Sequence, residues 1–219
     1  IITSTGSPLA EESFNYIYKN IKKDVHLASI AGGTDLVGCL VLGNLFSNVY
    51  KGEIQGQSLG IDVDVFTDDG KSTADGEKGE LVVKQPFPSM PVKFWGDDDG
   101  EKYHKAYFTK YKNIWHHGDF IERTSDNGFI MRGRSDSTLN PGGVRIGTSE
   151  IYQQVEDIDF ITEGLVVGQD FDDDVRIILF VTTKNNQELN DEKIKSIKSK
   201  IRKNCSPKHV PTIIIKVPE

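Results

Sequence analysis

The chain has 219 residues, 37% of them hydrophobic and 27% charged, with a formal net charge of −7. That length can bury a real core, as one large domain or two small ones. The acidic balance argues against general nucleic-acid binding, which needs a basic surface, but it leaves room for a local pocket around one small anion. Cys39 and Cys205 are too few and too far apart for a disulfide framework, which points to a reducing compartment. No apolar run approaches a membrane span. The opening "IITSTGSPLAEE" lacks the charged-then-apolar design of a signal peptide and has no initiator Met, so a fragment is expected.

In chain order, residues 9–22 place Phe14, Ile17, Tyr18 and Ile21 at helical spacing, with Pro8 expected at the first helical position behind a Ser7 cap. "VHLASIAGG" reads as one buried strand ending in a glycine turn. "GIDVDVF" alternates, with Ile61, Val63 and Val65 on one face, and "DDGK" follows as a turn. "GELVVKQ" is a further strand, and Pro86, Pro88 and Pro91 make the next segment irregular. "GDFIERTSDNGFIMRGR" predicts a hairpin around Asn127-Gly128. This middle section is β-rich and suggests a small barrel or sandwich. Beyond residue 136, "TSEIYQQVEDI" predicts a helix, and "EGLVVGQD" and "VRIILFVTT" predict strands. Asn190 caps a helix to about Asn204 with Ile194, Ile197 and Ile201 as its apolar stripe, and "TIIIKV" closes as a strand. This last part is an α+β unit of about 80 residues, near the lower size for a domain.

Local chemistry gives few firm sites. "DGKS" lacks the earlier glycine that a phosphate-binding loop needs, because position 65 is Val. The adjacent histidines of "WHHGD" point to opposite faces of a strand and cannot easily share a metal. Asp119 is a candidate acceptor for a sugar diol, although local grounds alone favour a plain turn aspartate after Gly118. In "AGGTDLVG", Thr34 suits a phosphate oxygen and Asp35 suits Mg²⁺, a hard cation, with a capped loop as an even alternative. The acidic runs Asp97–Asp99 and Asp172–Asp174 read as solvated loops. The lysine-rich face around Lys198 reads as solvated too, or as steering an anionic cofactor.

Taken in order, "TGSPL", "GGTD", "GELVV", "WHHGD", "GRSD" and "NPGGVRIGTSEIY" resemble the later core motifs of the adenylate-forming enzymes: acyl-CoA synthetases, luciferases and peptide-synthetase adenylation domains. The resemblance covers nearly the whole chain. It implies an α+β multidomain fragment. Residues 1–135 would be the β-rich, barrel-like end of a large N-terminal adenylation domain, and residues 136–219 a small α+β C-terminal lid domain that begins at a hinge, Asp136.

The resemblance also implies ATP, Mg²⁺ and coenzyme A as reactants, a cytoplasmic setting, and no nucleic-acid partner or membrane insertion. Gly6, Ser7 and Pro8 would line the adenine pocket, Thr34 would contact the α-phosphate, and Asp35, where many relatives have Glu, would help hold Mg²⁺. Asp119 and Arg134 would hold the ribose, Gly142 and Gly143 would let backbone approach the pantetheine thiol, and Arg145 would meet a phosphate. The fuller wording, including "GEIQGQSLG", "KAYF" and "KHVP", implies acetoacetate as the acid. Acetate, propionate or another short acid remains open, as does a non-catalytic nucleotide- or CoA-binding remnant. The family's Ser/Thr/Gly-rich phosphate loop and its late Pro-x-x-x-x-Gly-Lys segment are not in this sequence. The stretch is therefore expected to be inactive alone, with self-association a further expectation.

Overall fold

Strand β1 (Ile2–Ser4) runs parallel to β2 (Leu27–Ser29), with Ile2 opposite Leu27 and Ser4 opposite Ser29. The structure is a computed structural model that describes residues 1–172 and 174–218. Between these strands lies α1 (Glu11–Tyr16), which widens into a π-helical turn over Ile17–Ile21. The expected Ser7 cap is not formed. The chain stays extended through Ala10, whose carbonyl accepts the Ser13 amide at 3.0 Å, and Glu11 and Glu12 occupy the first turn near the positive end of the helix. Of the expected stripe only Phe14 is buried, and Ile21 is exposed.

The single strand expected from "VHLASIAGG" is two strands in different sheets. The Ile30 amide makes a last bond to the Ser4 carbonyl, at 2.9 Å. The chain then joins β3 (Ala31–Gly33), antiparallel to β4 (Gly38–Leu42), which pairs in turn with β5 (Gly56–Gln57). The turn follows the two glycines rather than containing them. A third sheet has the order β6 (Val63–Phe66), β7 (Lys78–Val83), β8 (Trp115–Arg123), β9 (Phe129–Arg134). The β-rich section is thus a set of open sheets and not a closed barrel, because β6 and β9 end the order without pairing to each other.

Val65, Leu81 and Ile121 from this sheet pack with Leu36, Leu40, Val41, Ile54 and Trp115 into one core. The other face carries Phe66, Val82 and Tyr111. It also carries two carboxylates that strand alternation would have sent to water. Asp64 is 4% exposed and is held by Arg123 at 3.1 Å, Lys84 at 3.2 Å and the Ser72 hydroxyl at 2.7 Å. Glu80 lies between Lys110 at 2.7 Å and His116 at 3.0 Å. Burying charges is tolerable only with such pairing. The hairpin of β8 and β9 closes through Thr124–Gly128, with Asn127 the residue at positive φ.

Helix α2 (Glu101–Tyr107) comes from a stretch where the sequence reading placed only a solvated acidic loop. Asp97 is 3% exposed, and its two carboxylate oxygens accept the Lys102 and Tyr103 amides at 3.0 and 2.8 Å. Those are orphan donors of a first helical turn, and the carboxylate satisfies them. Trp95, two residues earlier, stands fully in solvent.

The contacts divide the chain into two units, Ile1–Met131 and Arg132–Glu219, so the packing changes four residues before the expected hinge. The second unit builds on a long antiparallel pair, β10 (Ile161–Phe171) and β11 (Asp174–Thr183), with β12 (Ile213–Lys216) parallel to β11. Helices α3 (Thr148–Glu156) and α4 (Asp191–Asn204) cover it. Asn190 caps α4 by accepting the Lys193 amide at 3.0 Å. Ile197 and Ile201 are fully buried against Ile151, Val155 and Leu179, and Ile194 is half-buried. Two lysines of the polar face are engaged locally, Lys200 by Asp157 at 2.7 Å and Lys198 by the Thr212 carbonyl at 3.0 Å.

Candidate functional site

The residues singled out above fall into two groups, one in each unit. In the first unit, Gly6, Ser7 and Pro8 leave the carboxyl end of β1, next to the carboxyl end of its parallel neighbour β2. Loops at the carboxyl ends of parallel strands are the usual place for ligands in open sheets. Gly6 and Ser7 are exposed and Pro8 is half-buried. Thr34 and Asp35 lie in the exposed turn between β3 and β4, where the Val37 amide bonds the Thr34 carbonyl at 3.3 Å. Leu36 beneath them is fully buried and anchors the turn in the core.

The Asp35 carboxylate is held from two sides. Its Oδ2 accepts a hydrogen bond from the Tyr107 hydroxyl, at the end of α2. Its Oδ1 lies where a Cβ on Gly33 would stand, 2.0 Å away, with His117 Cε1 only 3.1 Å from the same point. Glycine at position 33 is therefore what makes room for the carboxylate. The Tyr107 ring stacks on Trp115 at 3.6 Å and 13°. The Trp115 indole N–H donates to His117 Nδ1 at 3.3 Å, and His117 Nε2 faces Asp119 Oδ2 at 3.6 Å. Asp119 is 7% exposed. The adjacent histidines of β8 do point to opposite faces, His116 toward Glu80 and His117 toward Asp119.

Tyr107 was not singled out by sequence, and Trp115 and His117 entered only as part of the "WHHGD" stretch. "KAYF" carries no local signal for Tyr107, whose partner lies 72 residues away. Burial, first, and then the Asp35 contact push the Tyr107 phenol well above its ordinary value, so it remains a hydrogen-bond donor.

In the second unit, Arg134 ends β9 and Asp136 lies in the 3-10 turn Ser135–Ser137. Both are exposed, with Arg134 Nε and Asp136 Oδ1 3.7 Å apart. Leu139 and Ile146 exchange two backbone bonds, of 2.9 and 2.8 Å, and so tie the ends of a small loop. Gly142 and Gly143 sit at its tip, within the turn Pro141–Gly143, and half-buried Arg145 lies on the return.

Gly142 has φ 57, and a Cβ there would come 2.2 Å from Lys208 Nζ. Only glycine avoids both penalties. Its amide donates to Asp174 Oδ1 at 2.7 Å. Hydrogen bonds from the Gly142 and Val175 amides hold the Asp174 carboxyl below its ordinary value. Asp174 is exposed, as the acidic run was expected to be, and is also part of the loop's framework.

No family model matches the chain. It is 56% identical over 217 residues to the acetoacetyl-coenzyme A synthetase of Rhizobium meliloti (strain 1021), a match that spans 99% of this chain and 33% of that protein. The chain is a homologue of the acetoacetyl-CoA synthetases. The solved acetoacetyl-CoA synthetase from Streptomyces lividans superposes with a TM-score of 0.89 at 40% identity, over 99% of this chain and 33% of that one. An anthranilate CoA ligase solved in complex with anthranoyl-AMP shares the fold, with a TM-score of 0.81 at 19% identity, over 99% of this chain and 40% of that one. The chain spans about a third of the length of the curated relatives it matches.

Proposed function

We propose that the chain supplies part of an AMP-forming acid–thiol ligase that activates acetoacetate and passes it to coenzyme A. The identity to the Rhizobium meliloti synthetase along nearly the whole chain carries this reading. In the first half-reaction a carboxylate oxygen of the acid attacks the α-phosphorus of ATP, and pyrophosphate leaves from acyl-AMP. In the second, the thiolate of coenzyme A attacks the acyl carbon and AMP leaves. Gly6, Ser7 and Pro8 line the adenine, Asp119 and Arg134 hold the ribose, and Thr34 and Arg145 bind phosphate oxygens. Gly142 and Gly143 let the pantetheine thiol approach bare backbone. Asp136 is the hinge at which the small domain changes position between the two half-reactions.

Asp35 is the proposed magnesium ligand. Mg²⁺ binds through one or two carboxylates together with substrate phosphates and retained waters. A single exposed carboxylate suits that role, and no group of three or more His, Cys, Asp or Glu stands ready to cage an ion among the described residues. The cation would come with the nucleotide and neutralise charge on the phosphates. We assign the protein to the cytoplasm. No helix of the described residues is long and apolar enough to cross a membrane.

The test uses the full-length protein with ATP, Mg²⁺, coenzyme A and a panel of acids that includes acetoacetate, acetate and propionate. AMP, pyrophosphate and thioester are followed separately. The expected outcome is AMP and pyrophosphate in step with acetoacetyl-CoA, at a clear preference over acetate. Thioester from another acid keeps the mechanism and changes the substrate. No turnover with any acid by a folded protein points to a nucleotide- or CoA-binding remnant.

A further inference from the structure

We infer that Tyr107 is a positioning residue for Asp35, and that its stack on Trp115 fixes that carboxylate with respect to Asp119. The inference rests on the reading of Asp35 as the magnesium ligand. An aspartate on an exposed turn samples several rotamers, and ordering it costs side-chain entropy whenever a ligand binds. Here the Tyr107 hydroxyl takes one lone pair of Oδ2, and a carboxylate has lone pairs to spare for a cation. Oδ1 is seated over the bare backbone of Gly33. The side chain is therefore arranged before any ligand arrives.

What holds Tyr107 is built for rigidity. Its ring lies flat on Trp115, which is 2% exposed, and meets Tyr103 and Phe94 edge-on at 5.5 and 5.7 Å. The helix that carries it is tied down at its first turn by Asp97. Trp115 opens β8 and reaches His117 through its indole N–H, and His117 faces Asp119. Three rings thus bridge two carboxylates that the sequence separates widely. A nucleotide whose ribose meets one of them and whose phosphate-bound cation meets the other needs both at a fixed spacing, and small displacements of positioned groups are costly.

The experiment compares Tyr107→Phe, Tyr107→Leu and Asp35→Ala in the full-length protein. The readout is the calorimetric affinity for ATP with Mg²⁺ divided by that without. This ratio is internal to each sample, so a partly unfolded fraction cancels. Tyr107→Phe keeps the stack and loses the hydroxyl, and it should lower the ratio about tenfold, near the lower end of what a hydrogen bond to a charged group contributes. Affinity for metal-free ATP should not move.

Tyr107→Leu should lower the ratio at least as far, together with the unfolding midpoint. A wild-type ratio in Asp35→Ala would remove the magnesium assignment itself. A lowered ratio in Asp35→Ala beside a wild-type ratio in Tyr107→Phe would overturn the role of Tyr107 and leave that assignment standing. Loss in Tyr107→Leu alone would assign the effect to the ring and overturn the role of the hydroxyl.

Discussion

At Gly33 a single methyl group decides where a carboxylate can go. The first atom that an added Cβ would strike is Asp35 Oδ1, with His117 Cε1 next at 3.1 Å, both side-chain atoms and not backbone, so the protein can yield chiefly by moving the carboxylate. Gly33→Ala is therefore expected to leave the unfolding midpoint almost unchanged and to weaken MgATP binding about tenfold, the scale of one lost charge-assisted contact. Unchanged binding would mean that Asp35 reaches its ligand from another rotamer. Gly142 differs, because its Cβ would meet Lys208 while the backbone itself sits at positive φ.

Among the elements, the four-stranded sheet pays for its outer face with paired carboxylates. Burial tends to raise the Asp64 carboxyl, but hydrogen bonds from Ser72, the Val65 amide and Lys84 outweigh it and hold the group below its ordinary 3.8. Folding therefore favours the ionised form. The stability this contributes is complete above about pH 5 and is lost as pH falls through the lowered folded value. Asp64→Asn should flatten the fall in unfolding midpoint below about pH 4, as followed by circular dichroism. An unaltered acid slope would place the lability in other carboxylates.

The elements differ in how far the sequence discloses them. Helix α4 was legible because Asn190, Ile197 and Ile201 act within one local period. The β8–β9 hairpin was legible because Asn127 takes the left-handed conformation in the turn itself. Helix α2 was not, since Asp97 reads as one of three solvated aspartates until its oxygens are seen on the Lys102 and Tyr103 amides. The break at Ile30 was hidden for a similar reason, because it depends on β1, far back in the chain. In the site, motif order pointed to Thr34, Asp35 and Asp119. Tyr107 owes its place to a tertiary contact and left no local trace.

For the molecule as a whole, the division at Met131 and Arg132 falls inside β9, just before the 3-10 turn that holds Asp136. A proline at 136 disfavours the helical conformation that Ser135 adopts there. Asp136→Pro in the full-length protein should therefore stall one half-reaction and spare the other. Pyrophosphate release and thioester formation from preformed acyl-AMP, measured separately, would reveal this. Equal loss of both would mark the residue as structural only.

The packing around Tyr107 also has an optical consequence. Of this chain's two tryptophans, Trp95 is 102% exposed, whereas Trp115 is 2% exposed and lies under the Tyr107 ring. A soluble quencher such as acrylamide should extinguish Trp95 first, and the bluer emission that survives would come from the residue that touches both Tyr107 and His117.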